Sequence, residues 1–205
     1  MDAIETIQYK THTIKIFPDS YDDSPRSWDN IAEIHCSHKR YSLGDKNFNY
    51  KNGSDCIEAA QNAQKNGDIV LPLFMYDHSS ITISLSPFSC PWDSGQVGFV
   101  IVRKEKMLKE FSAKKFSKFL KNKALKIAEG EVETYDQYLR GEVYGYKIDE
   151  DDTCSCWGFY GMDECVEEAK GVVDWMVKQD IKKHCEQVKK WIMNKVPLVY
   201  RTLTC

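Results

Sequence analysis

Between Ile69 and Arg140 the apolar residues change their spacing from every second position to every third or fourth, so this stretch must form strands first and helices afterwards. Ile69 to Tyr76 is nearly all apolar, Ile81 to Leu85 alternates, and Gln96 to Val102 supplies a third run. These predict three neighbouring strands, with loops at Asp77 to Ser80 and Ser86 to Gly95. From Lys104 to Glu129, Met107, Leu108, Phe111, Phe116, Phe119, Leu120, Ala124 and Ile127 recur at helical spacing with lysines between them. The pattern predicts an amphipathic helix broken near Ser112, continuing through Glu131 to Arg140 and closed by Gly141. The expected class is α+β, with a mixed, mainly antiparallel sheet packed by amphipathic helices.

The flanking segments fill in the rest. Ile4 to Phe17 alternates with one slip of phase and predicts a single strand with a bulge. Ser27 to Asn30 offers caps for a short helix through Ile31, Ile34 and His35, whereas Gly44 to Gly53 is irregular. Ser54 or Asp55 is expected to cap a helix over Cys56 to Lys65 that Asn66-Gly67 ends, because these residues accept the left-handed conformation most cheaply. Val143 to Ile148 and Cys154 to Tyr160 predict a hairpin across the acidic turn Asp149 to Asp152. The last helix is expected from Met162 to about Asn194, limited by Pro197. Val166, Ala169, Val173, Met176, Ile181, Val188 and Ile192 form its apolar stripe, whose distal half is long enough to meet a second subunit.

At 205 residues the chain fits one domain, 1–205, around one core. No run of apolar residues suits a membrane span, and no export signal is legible in Met1 to Lys15. The eight cysteines are scattered, which implies reduced, buried thiols in a cytoplasmic protein. Charge is segregated: Arg103 to Lys126 carries ten basic and two acidic side chains, and Glu129 to Asp152 nine acidic and two basic. Lys178 to Arg201 is basic again, with seven positive and two negative groups. Such blocks are solvated faces or surfaces that attract an acidic partner or a phosphate backbone.

Two loops hold the most unusual chemistry, Tyr76-Asp77-His78-Ser79 and Ser89-Cys90-Pro91-Trp92-Asp93-Ser94-Gly95-Gln96. If their strands pair, the loops share a sheet end. A cysteine hydrolase would then need His78 to take the Cys90 proton and Asp93 or Asp77 to orient the ring. The bland alternative makes both aspartates turn caps, Cys90 a small hydrophobe and Trp92 a packing residue. For metals, His35, Cys36 and His38, the pair Cys154 and Cys156, and the acidic loop Asp19, Asp22, Asp23 and Asp29 all lack ligand spacing. No phosphate-binding glycine motif is present, so no cofactor is expected. Phe111, Phe116 and Phe119 of the lysine-rich helix are assigned to its apolar face rather than to base stacking.

Ser24-Pro-Arg-Ser-Trp-Asp-Asn30, His38-x-Arg-Tyr-x-Leu-Gly-Asp-Lys46, Leu71-Pro-Leu-Phe-Met-Tyr-Asp-His-Ser79, Cys90-Pro-Trp-Asp-Ser-Gly-Gln-Val-Gly-Phe99, Gly130-Glu-Val-Glu-Thr-Tyr-Asp-Gln-Tyr-Leu-Arg-Gly-Glu-Val-Tyr-Gly145 and Cys156-Trp-Gly-Phe-Tyr-Gly161 stand as long blocks. Together they resemble a family of uncharacterised bacteriophage and mobile-element proteins, over Ser24 to Gly161. Ser80 stands where that family often has Gly. The resemblance implies a genetic setting and no catalytic residues. It leads to the expectation of a non-enzymatic accessory protein in the cytoplasm of a bacterial host. Such a protein would inhibit or modulate a host defence complex, anti-CRISPR or anti-restriction in type, by binding a host protein. The expected binding residues are Arg26, Trp28, Asp29, Trp92, Asp93, Gln96, Lys114, Lys115 and Lys118. The alternatives are a small hydrolase or metal-dependent enzyme at the 76–79 and 89–96 loops, and a nucleic-acid binder using the helix at 103–126.

Overall fold

The computed structural model describes residues 2–20, 23–149 and 151–195; Asp22 of the acidic loop and Pro197, the expected limit of the last helix, lie outside them. In chain order the elements are β1 (Glu5–Tyr9), β2 (His12–Pro18), a 3-10 turn (Pro25–Ser27), β3 (Ala32–Cys36), α1 (Gly53–Lys65), β4 (Ile69–His78) and β5 (Ser80–Ser84). There follow β6 (Ser94–Val102), α2 (Lys104–Glu110), α3 (Lys118–Arg140), β7 (Val143–Ile148), β8 (Asp151–Tyr160) and α4 (Met162–Lys195). The α+β class and the long C-terminal helix are as expected. The strands are shared between two four-stranded sheets, ordered β1-β2-β7-β8 and β3-β6-β4-β5. Contacts group the chain into two compact units, Met1–Asp19 with Tyr144–Cys205, and Ser20–Val143. Apolar side chains accordingly collect in two clusters, where chain length implied one core. Among the described residues no helix is long and apolar enough to cross a membrane.

In the unit that joins the chain's two ends, the expected single strand over Ile4 to Phe17 is a hairpin. Tyr9 pairs with His12, and the slip of phase is the turn at Lys10, which takes a φ of 53°. Ile14, Ile16, Tyr146 and Ile148 from the sheet pack with Cys165, Ala169 and Val173, which recur every four residues along α4. Gly145 is required here, since a Cβ on it would lie 2.2 Å from Cε3 of Trp157. The β7–β8 turn is fastened by Asp149, whose carboxylate accepts from the Thr13 N–H at 2.8 Å and contacts His12 Nδ1 at 2.6 Å. Beyond Val177 the α4 stripe is less covered: Ile181 and Val188 are exposed and Ile192 is half-buried, with the exposed Trp191 beside it.

In the unit Ser20–Val143, the helix expected through Ile31, Ile34 and His35 is the strand β3. Those residues fit a helix stripe, but Ala32, Ile34 and Cys36 also alternate, and antiparallel pairing with β6 from Ala32↔Val102 to Cys36↔Gly98 decides the matter. The capping chemistry closes the 3-10 turn instead, with Ser24 Oγ accepting from the Arg26 N–H at 3.2 Å. Helix α1 begins at Gly53, with Asn52 at the cap position and not Ser54 or Asp55, and ends at Asn66-Gly67 as expected. The lysine-rich helix does break at Ser112, where φ is 46°, and α3 does close on Gly141. Met107, Leu120, Ala124, Ala128, Val132 and Tyr135 pack with Ile34, Leu73, Val100 and Val102 of the sheet.

Both edges of this sheet are closed by carboxylates. On the β3 edge Glu131 accepts from the N–H groups of Ile31 (2.7 Å) and Ala32 (2.9 Å), and Asp45 accepts from that of Ile34 (2.9 Å). On the β5 edge Asp136 accepts from the Ile83 N–H at 2.7 Å. Edge N–H groups that would otherwise recruit another strand are thereby occupied.

Gly98→Ala should lower the urea midpoint by an amount equivalent to about 3 kcal/mol, because a Cβ there would lie 2.0 Å from the His35 carbonyl oxygen. Gly95→Ala, on the same strand but in open space, should change stability by no more than about 0.5 kcal/mol. Glu131→Gln turns one of two acceptors into a donor facing an N–H, and should cost about 2 kcal/mol in the same assay. The Thr13 N–H and then His12 hold the Asp149 carboxyl below its ordinary value of 3.8. Its contribution is therefore fully present above about pH 4 and is lost as pH falls through the folded value. Unfolding curves of wild type and Asp149→Asn should differ most at neutral pH and converge towards pH 2.

Candidate functional site

Strands β4 and β6 pair to their ends, with Tyr76 opposite Ser94, so the loops that leave them emerge side by side. The ladder runs one step further, the Asp77 N–H donating to the Asp93 carbonyl at 2.9 Å. The β4–β5 connection is a single residue, Ser79, at a φ of 67°. The unusual backbone angle therefore falls one residue before Ser80, which begins an ordinary strand in place of the resembling family's Gly. In the 89–95 loop the Ser94 hydroxyl donates to the Cys90 carbonyl and tethers the turn.

The structure brings Asp77, His78, Cys90, Trp92 and Asp93 together at this end of the sheet. Asp93 Oδ2 lies 3.5 Å from His78 Nδ1 and 3.9 Å from Cys90 Sγ. Asp77 is held from its other side by the Arg40 guanidinium and, at 3.4 Å, by the Tyr41 hydroxyl. Tyr76 stacks on His78 with centroids 6.0 Å apart and meets the Phe88 ring at a tilt, 5.7 Å away. Trp92 is 91% exposed.

This is not the order of a cysteine hydrolase. There the imidazole lies between thiol and carboxylate; here the carboxylate lies between thiol and imidazole. Among the described residues Cys90 makes no hydrogen bond to His78. The contact through which a general base would draw the thiol proton is missing. What this sheet end presents is an exposed indole in the loop that also carries Asp93, whose carboxylate lies beside His78; Asp77, the next residue along β4, turns to the other face with Arg40.

The other expected binding residues are placed elsewhere. Arg26 is corrected outright: its side chain is 8% exposed, and Nε and Nη2 donate to the two Asp45 oxygens at 2.8 and 2.9 Å. Nη2 also donates to the Ala32 carbonyl at 2.6 Å, and Nη1 faces Glu131 at 3.7 Å. A guanidinium so engaged is a structural clamp and has nothing to offer a partner. Trp28 is half exposed, and Asp29 pairs with Lys106 at 3.1 Å. Both precede β3 at its Ala32 end, which aligns with Val102, whereas Trp92 precedes Ser94. Eight steps of β6 at roughly 3.3 Å each separate those ends by about 26 Å, so Trp28 and Trp92 do not share a surface.

Gln96 is exposed. Its Nε2 donates to the Gly98 carbonyl at 3.2 Å, and it lines a cavity of about 200 Å³ with Ser37, Cys56, Ile57 and Phe99. Lys114, Lys115 and Lys118 are exposed at the entry to α3. Phe111 and Phe116 pack against the core, but Phe119 does not: it is 78% exposed. Its neighbour Leu120 is the one that is buried.

The suggested metal ligands do not converge. His35 is buried in a stack with Phe48 and Tyr50, its Nδ1 2.8 Å from the Tyr50 hydroxyl and its Nε2 3.2 Å from Glu33. His38 stacks on Tyr41, and burial pushes the Cys36 thiol up to about 11. Because residues 35 and 36 lie on a strand, they point to opposite faces. Among the described residues no group of three or more His, Cys, Asp or Glu side chains could hold a metal ion.

Sequence reasoning missed Arg40 and Tyr41 as supports of Asp77, and missed Asp45 and Glu131 altogether. All four lie in the blocks quoted above, but a block does not say which side chain meets which. Comparison with family models, with curated proteins and with solved structures gives no match, so the arrangement is interpreted from its own chemistry.

Proposed function

We propose that the chain is a non-enzymatic binding protein that captures a partner protein through the paired loops at 76–79 and 89–96. The observation that carries this reading is Trp92, 91% exposed at the tip of a loop fixed at both sides. A Trp side chain buries about 150–250 Å² when covered, worth roughly 4–6 kcal/mol at about 25 cal/mol per Å². Because Asp77, Asp93 and Ser94 already hold the loop, little of that gain is spent on ordering. An aromatic anchor inside a polar rim is the usual anatomy of a binding hot spot. The rim in this reading is the Asp93 carboxylate with the His78 imidazole beside it.

The resemblance to bacteriophage proteins supplies the setting. The partner in this reading is a host protein, a component of a defence nuclease complex, met in the bacterial cytoplasm. The basic segment around Lys114, Lys115 and Lys118 favours approach to an acidic surface. A second copy of the chain is the proposed cover for the distal stripe of α4, because Ile181, Val188 and Trp191 repeat at seven- and three-residue spacing as in a helical pair.

The test is a pull-down from phage-infected host cells with the full chain, followed by affinity measurement on the captured protein. Trp92→Ala should weaken binding by about 30-fold or more, the loss of a hot spot of about 2 kcal/mol, with an unchanged circular dichroism spectrum. Cys90→Ala should bind as wild type does. Wild-type affinity in Trp92→Ala would remove the basis of this reading. Rapid alkylation of Cys90 by iodoacetamide near neutral pH would favour the hydrolase instead.

A further inference from the structure

A second surface of the same unit is left unexplained by the Trp92 loops. Between Lys114 and Lys126 the chain carries six lysines and no acidic residue. Among the described residues none of the six is paired with a carboxylate. Two of them lie against aromatic faces instead, Lys123 Nζ at 3.9 Å from the Phe111 centroid and Lys121 Nζ at 5.8 Å from that of Phe116. Several other cationic side chains of the unit are matched, Arg26 with Asp45, Arg40 with Asp77, Arg103 with Glu33 and Asp68, and Lys106 with Asp29. The positive field of this segment is therefore uncompensated locally.

Within that field stands Phe119. The helix repeat places Phe119, Lys123 and Lys126 at i, i+4 and i+7 in one stripe of α3, whose centre is turned away from the buried Ala124 and Ala128. Lone exposed apolar residues are common on protein surfaces. This one is a flat ring, 78% exposed, with ammonium groups on its own face of the helix and no acidic group among its nearest neighbours in sequence. The combination of a π-surface and unpaired point charges suits a ligand that has both bases and phosphates.

We propose that this face of α3 binds single-stranded nucleic acid, with Phe119 stacking on a base while Lys118, Lys123 and Lys126 follow the phosphates. A single strand is specified because its bases are free to leave their neighbours and lie on a ring that projects from a helix. In a duplex they are stacked within the helix and out of its reach. The surface is independent of the Trp92 loops, and each can fail without the other.

The test is fluorescence anisotropy of a labelled twelve-residue oligothymidylate with the full chain, against a duplex of the same length and against polyglutamate, at several salt concentrations. The oligothymidylate should bind best, and log K should fall with log[salt] at a slope of about −2, as expected for three lysines neutralising phosphates of a single strand. Phe119→Ala should weaken binding by about 5-fold to 150-fold without changing that slope, since stacking is worth about 1–3 kcal/mol per base. Lys118→Gln with Lys123→Gln should flatten the slope, and Trp92→Ala should leave binding unchanged. All these side chains are exposed, and circular dichroism checks that the fold is retained. Equal binding of duplex or polyglutamate, a slope near zero, or wild-type affinity in Phe119→Ala would each overturn the proposal.

Discussion

The guanidinium of Arg26, seated between the carboxylates of Asp45 and Glu131, is the interaction on which the unit Ser20–Val143 depends. Strand β3 pairs with β6 along one side, and on the other the Asp45 N–H donates to the Ile34 carbonyl while Cys36 bridges to Asn49. Along its other side the N–H groups of Ile31, Ala32 and Ile34 have those two carboxylates as acceptors. The carboxylates would repel one another and tilt away without the cation between them. Removing one partner from a buried ionic group costs about 3–5 kcal/mol, a large part of the roughly 5–15 kcal/mol that holds a whole domain together. Ser24 to Asn30, His38 to Lys46 and Gly130 to Gly145 each contribute one member of this clamp. Blocks that look like functional motifs in the sequence are here used, in good part, to close a sheet edge.

The clamp matters to the proposed binding surface through β6. That strand is held by β3 on one side and β4 on the other, and Gly98 allows it to approach β3 closely enough for the pairing to form. With both neighbours fixed, the ends of β4 and β6 are fixed as well. Asp77 and Asp93 then meet backbone to backbone, and the loops carry His78 and Trp92 on a rigid base. Closing the sheet edge and exposing the indole are thus consecutive steps of one arrangement.

How much of this could be read from the sequence depended on the kind of force involved. Strands β4, β5 and β6, the break at Ser112, the Gly141 cap and the extent of α4 follow from apolar spacing and turn residues, and all were legible. The β1–β2 turn was not, because Lys10 adopts a positive φ without the Gly or Asn that usually announces one. Strand β3 was hidden because Ile31, Ile34 and His35 satisfy helical spacing while Ala32, Ile34 and Cys36 satisfy strand spacing, and only the partner strand chooses between them. The two loops at one sheet end were legible, since pairing of their strands implies their adjacency. Arg26 was misplaced for the opposite reason: an Arg in a loop of Ser, Pro and Asp looks solvated, and its carboxylate partners are remote in sequence. Phe119 was assigned inward by counting apolar residues, which cannot tell which of two adjacent ones is buried.

Hydrogen exchange at individual backbone amides tests the clamp most directly. The amides of Ala32 and Ile34, although they lie on the outer edge of the sheet, should exchange as slowly as that of Val100 at its centre, because carboxylates held by Arg26 occupy them. Exchange of Ala32 and Ile34 at the rate of freely solvated amides, with Val100 still protected, would show that the edge is open and that the clamp does not hold it.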